Sequence, residues 1–369
     1  MHLFGHLLHQ HYDIVACGKC GFVFNDFSAK QDDFSKYYES LSKYETNGIS
    51  GAGGLSVIDR KRFEKIINFI LPYIKNNKNS ILDIGCSQGG LLFLFKEKGY
   101  TELFGIDPSK YCVEVVKKNQ INAEVGNIFN IKIRKKYDIV ILSAVLEHIV
   151  ELDKLIMQLK KTLKKGGSLL IEVPDAGRYR DYNLSAYYRF DLEHINHFSI
   201  HHLSNLFCRS GFTLIDSAQI EVPVSKYHLS PSILFLFKNS GIFNDVIPDF
   251  TLKNNIIEYI KISEDKDEYL DIETLIKSQK PVYIWGLGAH TYRLLKQKRL
   301  SLCNIIAFID NDPKKEGKTL LNKPVYSSDY ILNNSNDGSI VVISSVLYEK
   351  EMSEYLKKNK YSGHILSII

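Results

Sequence analysis

The chain has 369 residues, of which 44% are hydrophobic and 24% charged. This composition excludes a largely disordered or collagen-like chain, and the length predicts two domains or three. A formal net charge of +5, spread through helical segments, does not point to a nucleic-acid partner.

No apolar run approaches the roughly 20 residues needed to cross a bilayer, so no membrane is expected as a partner. The stretch Met1–His11 carries His2, His6, His9 and His11 but no Lys or Arg. It therefore does not read as a signal peptide. Six cysteines in a chain this long do not make a disulfide framework, and a reducing, cytoplasmic setting is expected. Cys17-Gly18-Lys19-Cys20 follows the histidines and is half of a zinc knuckle. A closed structural zinc site needs four ligands, so His9 and His11 would have to complete it.

Gly48 to Gly54 is a flexible break. From Val57 to Ile74, apolar residues recur at helical spacing and predict an amphipathic helix. Strands are then expected at Ser80–Ile84, Glu102–Ile106, Asn122–Val125, Asp138–Leu142 and Ser168–Val173. Helices are expected between them: one through Lys98, then Tyr111–Lys118 and Leu152–Leu163, the last stopped by Gly166-Gly167. Such alternation indicates a parallel sheet covered on both faces. A Tyr- and Arg-rich loop, Arg178 to Arg189, leads to a helix at His201–Ser210 and strands at Phe212–Ile220 and Ser232–Phe237. Residues 241–279 read as a charged helical connector. A second strand–turn–helix starts at Val282–Trp285, with further strands at Ile305–Ile309 and Ser339–Ser344 and a helix at Lys350–Lys358.

Asp83-x-Gly85-x-Ser87-x-Gly89 lies where the first of these strands turns into its helix. Glycines there let the backbone turn tightly and approach a ligand. Asp107 ends the next strand, where a carboxylate can accept both hydroxyls of a ribose. A tight turn with a helix-capping aspartate is the plainer reading of the same residues.

Together with Asp138–Ser143, Val145–Ile149 and Leu163–Ile171, this pattern resembles the class I S-adenosylmethionine-dependent methyltransferases over roughly residues 57–238. The family usually has Gly where this chain has Ser87. The resemblance implies an α/β fold with a Rossmann-like seven-stranded methyltransferase sheet and S-adenosylmethionine as cofactor. It implies that Asp83 holds the methionine ammonium and Asp107 the ribose. Gly85, Ser87 and Gly89 let the backbone approach, Asn127 and Ile128 present a polar side chain and an amide to adenine, and Ser143 lines the methionine end.

The segment Phe190–Ser199 follows the fifth strand and holds Glu193 beside His194. It can cover the carboxyl end of the sheet, where ligands of open α/β sheets bind. Histidine is the usual base at neutral pH, so His194 oriented by Glu193 is the expected catalytic pair; a structural loop anchor is the competing reading. The segment is similar to the Glu-His stretch of bacterial sugar C-methyltransferases. These have Tyr where Asp191 stands, so O- and N-methylation stay open beside C-methylation. The same family often opens with two cysteine pairs, which puts Cys17 and Cys20 in the place of the second. The tyrosines and arginines of the preceding loop suit a ring-bearing, phosphate-bearing substrate, or form a solvated lid.

Val282-Tyr283-Ile284-Trp285-Gly286-x-Gly288, with Asp310 ending the next strand, repeats the nucleotide-binding logic. It resembles the second, smaller Rossmann-like domain at the C-terminus of sugar C-methyltransferases. It would hold the nucleotide of the substrate, or serve as a scaffold or dimerisation domain in a homodimer.

The expected organisation is a partial zinc-knuckle segment (1–30), a helical lead-in (31–75), a methyltransferase domain (76–240), the connector (241–279) and a nucleotide-binding or scaffold domain (280–369). The expected function is methyl transfer to a sugar, nucleotide-linked, in surface-glycan or glycoside biosynthesis. Methyl transfer to another small metabolite is the alternative. A non-catalytic nucleotide-binding partner protein is the alternative of a different class.

Overall fold

The apolar runs around Asp83 and Asp107 pair into one sheet in the computed structural model of the protein. The structure describes residues 12–40, 53–74, 76–131, 135–268, 272–335 and 338–369, the side chains of Ser40 and Glu268 excepted. They fall into two compact units. One contains Leu192–Glu258 and the described residues up to Tyr182; the other contains Asn183–Asp191 and Tyr259–Ile369. The segment read as a connector is therefore divided between the units, and so is the Tyr- and Arg-rich loop.

The first unit opens with the strands β1 (Asp13–Ala16) and β2 (Val23–Asp26), which pair antiparallel across the Cys17–Cys20 turn. The helices α1 (Gln31–Ser40) and α2 (Val57–Ile70) follow. Then come β3 (Ile81–Ile84), α3 (Gly90–Glu97), β4 (Leu103–Asp107), α4 (Lys110–Lys118), β5 (Asn122–Val125) and β6 (Tyr137–Ser143). After these lie α5 (Leu152–Thr162), β7 (Leu163–Pro174), the two-residue β8 (Asn196–His197), α6 (Ile200–Cys208), β9 (Phe212–Pro223) and β10 (Leu229–Asn239).

The seven-stranded sheet has the order β5-β4-β3-β6-β7-β10-β9. Its first five strands are parallel, and β10 runs antiparallel to both β7 and β9. The chain reverses direction across the sheet at β3, where β4 lies on one side and β6 on the other. The carboxyl ends of the strands open a crevice at such a switch point. One face is sealed by Phe63, Ile66, Leu91, Leu92 and Val113 from α2, α3 and α4. The other is sealed by Leu155, Leu159, Leu203 and Phe207 from α5 and α6. Strands buried on both faces are continuous apolar runs, which is why Ile81–Ile84 and Tyr137–Ser143 stand out in the sequence.

Two features depart from the expected elements. Gly166-Gly167 does not stop a helix. Strand β7 already begins at Leu163, which pairs with Tyr137, and the pairing resumes at Ser168 opposite Ile139. Gly166, at φ +71°, absorbs the intervening bulge. The second is a separate three-stranded sheet, β1-β2-β8, that joins the N-terminal hairpin to the segment after Glu193-His194.

The helix α7 (Thr251–Glu268) runs from the first unit into the second. Thereafter come α8 (Ile272–Ser278), β11 (Val282–Trp285), α9 (Ala289–Gln297), β12 (Ile305–Ile309), β13 (Thr319–Leu320) and β14 (Lys323–Tyr326). The chain ends with α10 (Asp329–Asn334), β15 (Ile340–Ile343), α11 (Glu349–Lys358) and β16 (His364–Ser367). The six strands follow the order β13-β14-β12-β11-β15-β16, all parallel except the β13–β14 pair. This is the expected smaller α/β sheet.

Candidate active site

The turn after β3 is built around left-handed backbone. Gly85 has φ +73° and Gly89 φ +79°. A Cβ on Gly85 would lie 2.5 Å from Val145 Cγ2, and one on Gly89 2.7 Å from Val116 Cγ2. Ser87 holds φ +48°, which an L side chain adopts only at a cost. Its amide donates to Asp107 Oδ2 at 2.7 Å, while Ser109 N donates to Oδ1 at 2.9 Å. An ionised carboxylate has about four acceptor sites, and these two amides orient both of its oxygens. Asp107 is fixed in position by the turn it faces.

Asp83 is 3% exposed, at the end of β3. Burial and the neighbouring Asp107 push its carboxyl up to about 8, against a lowering by Arg62. It is a group that gains from an incoming cation.

Arg62 and Glu172 had no signal in the sequence. Arg62 lies on α2, in a stretch whose charges read as a solvated helix face. Its side chain is 18% exposed and pairs with the buried carboxylate of Glu172 on β7. Ser143 Oγ donates to the same Glu172 at 2.8 Å and Ser232 Oγ to its other oxygen at 2.6 Å. Burial opposes ionisation of Glu172, but Arg62 and the two hydroxyls hold its carboxyl below the usual range. Ser143, expected at the methionine end, is thus part of a polar network that closes the ends of β6, β7 and β10.

Asn127 is also committed locally. Its Oδ1 accepts from Phe129 N at 2.9 Å and Asn130 N at 3.2 Å, which fills both lone pairs with turn amides. The Ile128 side chain is 2% exposed and packs in the core.

The predicted pair Glu193 and His194 is arranged differently from an oriented base. Glu193 Oε1 accepts from Tyr37 Oη at 3.1 Å and Oε2 from Tyr38 Oη at 3.3 Å. Asn25 Nδ2 donates to the His194 carbonyl at 2.9 Å. The His194 ring lies edge-on to His148, centroids 4.9 Å apart. Glu147 and His148, in a 3-10 turn after β6, complete a cluster with His194. One ligand atom from each of the three lies within 4.8 Å of the others. Tyr37 and Tyr38 were visible only as aromatic residues on a polar stretch; their partners lie more than a hundred residues away.

At the hairpin tip, the backbone amides of Lys19 and Cys20 lower the Cys17 thiol, and burial raises that of Cys20. Among the described residues no third His, Cys, Asp or Glu joins this pair within metal-ligand distance. His9 and His11, the expected completing ligands, lie outside the described residues. His202 Nε2 contacts the Cys20 carbonyl at 3.1 Å.

The loop arginines expected to meet phosphate are engaged within the protein. Arg178 bonds Tyr182 Oη at 2.6 Å and pairs with Glu221, and Arg180 pairs with Glu258.

The second unit repeats the first turn's design. Gly286 has φ +103°, and Leu287 N donates to Asp310 Oδ2 at 2.9 Å. Asp312 N donates to Asp310 Oδ1 at 3.0 Å. Lys315 Nζ adds a cation, 2.8 Å from Asp310 Oδ2 and 3.0 Å from the Leu287 carbonyl.

Residues 58–217 match the family model described as "Methyltransferase domain", and residues 278–365 match one described as "C2185-like, N-terminal". The ubiquinone biosynthesis O-methyltransferase of Pelagibacter ubique is 36% identical over 104 residues, covering 27% of this chain and 42% of that protein. The malonyl-[acyl-carrier protein] O-methyltransferase of Priestia megaterium is 27% identical over 146 residues, covering 38% and 53%. The chain thus spans about half the length of the curated relatives it matches. The magnesium protoporphyrin IX methyltransferase of Synechocystis, solved with S-adenosylhomocysteine, aligns at 14% identity with TM-score 0.43, covering 56% of this chain and 98% of that one.

Proposed function

Because residues 58–217 form an S-adenosylmethionine-dependent methyltransferase domain, we propose that this chain transfers a methyl group from that cofactor to a sugar, nucleotide-linked, in glycan or glycoside biosynthesis. When bound, the cofactor supplies an electrophilic methyl on a sulfonium. The chain's own residues do the rest. Asp107 takes the ribose hydroxyls on the carboxylate that the Ser87 and Ser109 amides hold in place. Asp83 takes the ammonium, which favours its ionised form. The Arg62–Glu172–Ser143 network keeps the end of the sheet rigid and polar. The acceptor is aligned for in-line attack, and its proton leaves at the cluster of Glu147, His148 and His194. Glu193 acts in this reading as the anchor that ties α1 to the cluster through Tyr37 and Tyr38.

The observation that carries the nucleotide-linked acceptor is the second turn. Leu287, Asp310 and Lys315 repeat the turn-and-aspartate arrangement of the first unit and add a cation, which supports a role in recognising the nucleotide part of the acceptor. Zinc at Cys17 and Cys20, and a homodimer, belong to the same reading by resemblance alone. The relatives named as O-methyltransferases favour a second reading, O-methylation of another small metabolite.

Full-length protein incubated with methyl-labelled S-adenosylmethionine and a panel of nucleotide sugars tests the proposal. Label should enter at least one nucleotide sugar, and more slowly its free sugar. Label entering only acceptors without a nucleotide would overturn the sugar reading and leave methyl transfer standing.

A further inference from the structure

The cluster of Glu147, His148 and His194 combines the donors that hold first-row divalent cations. We infer that it is a metal site, holding one divalent cation such as zinc, manganese or cobalt. The inference rests on the methyl-transfer reading only for the chemistry the cation would serve.

Three observations support it. The first is donor chemistry: two imidazoles and one carboxylate, the set found in catalytic sites that leave one position open. The second is spacing. Metal–ligand bonds of roughly 2.0–2.2 Å in a tetrahedron put ligand atoms about 3.4 Å apart. His148 Nε2 and Glu147 Oε1 are 3.8 Å apart, and all three ligand atoms fall within 4.8 Å of one another. Small side-chain rotations close that gap.

The third is the orientation of His148. Its Nδ1 lies 2.8 Å from the Glu193 backbone carbonyl. A carbonyl only accepts, so the ring proton sits on Nδ1. Nε2, on the far side of the ring, faces Glu147. Fixing a ring through its far nitrogen in this way is what a metal-ligating histidine requires. Tyr38 Oη, 3.0 Å from the same nitrogen, and Glu193 hold the carbonyl's segment in place. Glu147 is 1% exposed and His148 8%. A cation among them offsets the cost of keeping that carboxylate out of water. His194 is only partly buried, so the open position faces away from the core.

The site follows β6, at the carboxyl end of the sheet, and Val145 two residues before Glu147 touches the Gly85 turn. A hydroxyl of the acceptor bound at the open position becomes more acidic, as water does on zinc. It loses its proton to solvent. The resulting oxygen anion attacks the methyl carbon; a C–O bond forms, the S–C bond breaks, and its electron pair stays on sulfur, which becomes a neutral thioether. His194 is then a ligand rather than the proton acceptor, and Glu193 a residue that positions His148.

The test uses the full chain, stripped with a chelator and titrated with cobalt(II) without cofactor. The wild type should bind about one equivalent with visible d–d absorption. Glu147→Gln and His194→Gln should each lower the affinity at least 100-fold. A Cys17→Ser/Cys20→Ser variant should keep the absorption, which separates this site from the cysteine turn. Thermal melts and S-adenosylhomocysteine titration of each variant check folding and the cofactor site. Absent cobalt absorption, or absorption that survives both variants, overturns the inference. Methyl transfer that continues undiminished in the stripped protein overturns the metal's role while the methyltransferase reading stands.

Discussion

Asp107 and Asp310 end corresponding strands in the two units, and each holds its Gly-turn in the same way. One carboxylate oxygen accepts the amide two positions after the first turn glycine or next to it; the other accepts the amide two residues beyond the aspartate itself. What differs is charge. The first turn has a second buried carboxylate, Asp83. The second has Lys315 bonded to its aspartate and to a turn carbonyl. One backbone design thus carries two different charge patterns, which under the proposed function would serve two different ligands. The acidic one suits a ligand carrying an ammonium and a sulfonium. The neutralised one suits a ligand carrying phosphate, whose oxygens Lys315 can meet.

The largest effect that would sharpen this contrast is a pH dependence confined to the first site. Asp83 is held near 8 by burial and Asp107. Below that pH the free protein carries a proton there, and a cationic ligand must expel it. Affinity for S-adenosylhomocysteine should therefore rise about tenfold per pH unit between 6 and 8 and level off above 8. Asp83→Asn should bind more weakly and with no such slope. The sign for stability is opposite. A raised carboxyl favours the folded state at low pH, and this contribution is lost as pH rises from about 4 through 8. Asp83→Asn should therefore melt above the wild type at pH 8.5. A flat binding profile in the wild type would place the ligand's ammonium elsewhere.

The next effect is a swap test. Asp107→Ala removes a double acceptor and should weaken S-adenosylhomocysteine by roughly 10-fold or more, since hydrogen bonds of this kind contribute about 1–3 kcal/mol. Asp310→Ala should leave that affinity unchanged and should lower the affinity for a nucleoside diphosphate. Calorimetry on both variants with both ligands decides it. If Asp310→Ala moves the first ligand as much as Asp107→Ala does, the two turns are not separate sites.

Much of the sheet was legible because it is parallel and covered. Val282–Trp285 and Ile305–Ile309 were expected with the bounds they have, since turn residues and continuous apolar runs delimit them. Asp83 and Asp107 were legible because their positions follow from strand ends. The rest of the site depends on side chains whose partners are far away in sequence. Arg62 reads as a charge on an amphipathic helix until β7 brings Glu172 to it. Glu193 reads as a partner for the next residue until α1 brings Tyr37 and Tyr38. Glu147 and His148 read as a loop until the chain returns at His194. The hairpin β1–β2 is four residues a side and finds its third strand in two residues, Asn196 and His197, so no local pattern announces it.

The smallest effect concerns the one non-glycine residue of the first turn that holds left-handed backbone. Ser87, at φ +48°, stands where the resembling family usually has Gly. The left-handed conformation costs an L residue roughly 1–2 kcal/mol. Replacing it with Gly removes that strain but adds conformational freedom to the unfolded chain, worth about 0.5–1 kcal/mol in the other direction. The hydroxyl approaches Cys112 Sγ at 3.9 Å. The strain term is the larger, so Ser87→Gly should stabilise the protein by about 0.5–1 kcal/mol, seen as a higher urea midpoint at unchanged slope. Affinity for S-adenosylhomocysteine should stay within twofold, because the group that fixes Asp107 is the backbone amide, which glycine keeps. A lower midpoint would mean that the serine side chain stabilises the turn by more than its backbone strain costs. A large loss of affinity at unchanged stability would move Ser87 from the scaffold of the turn to direct contact with the ligand.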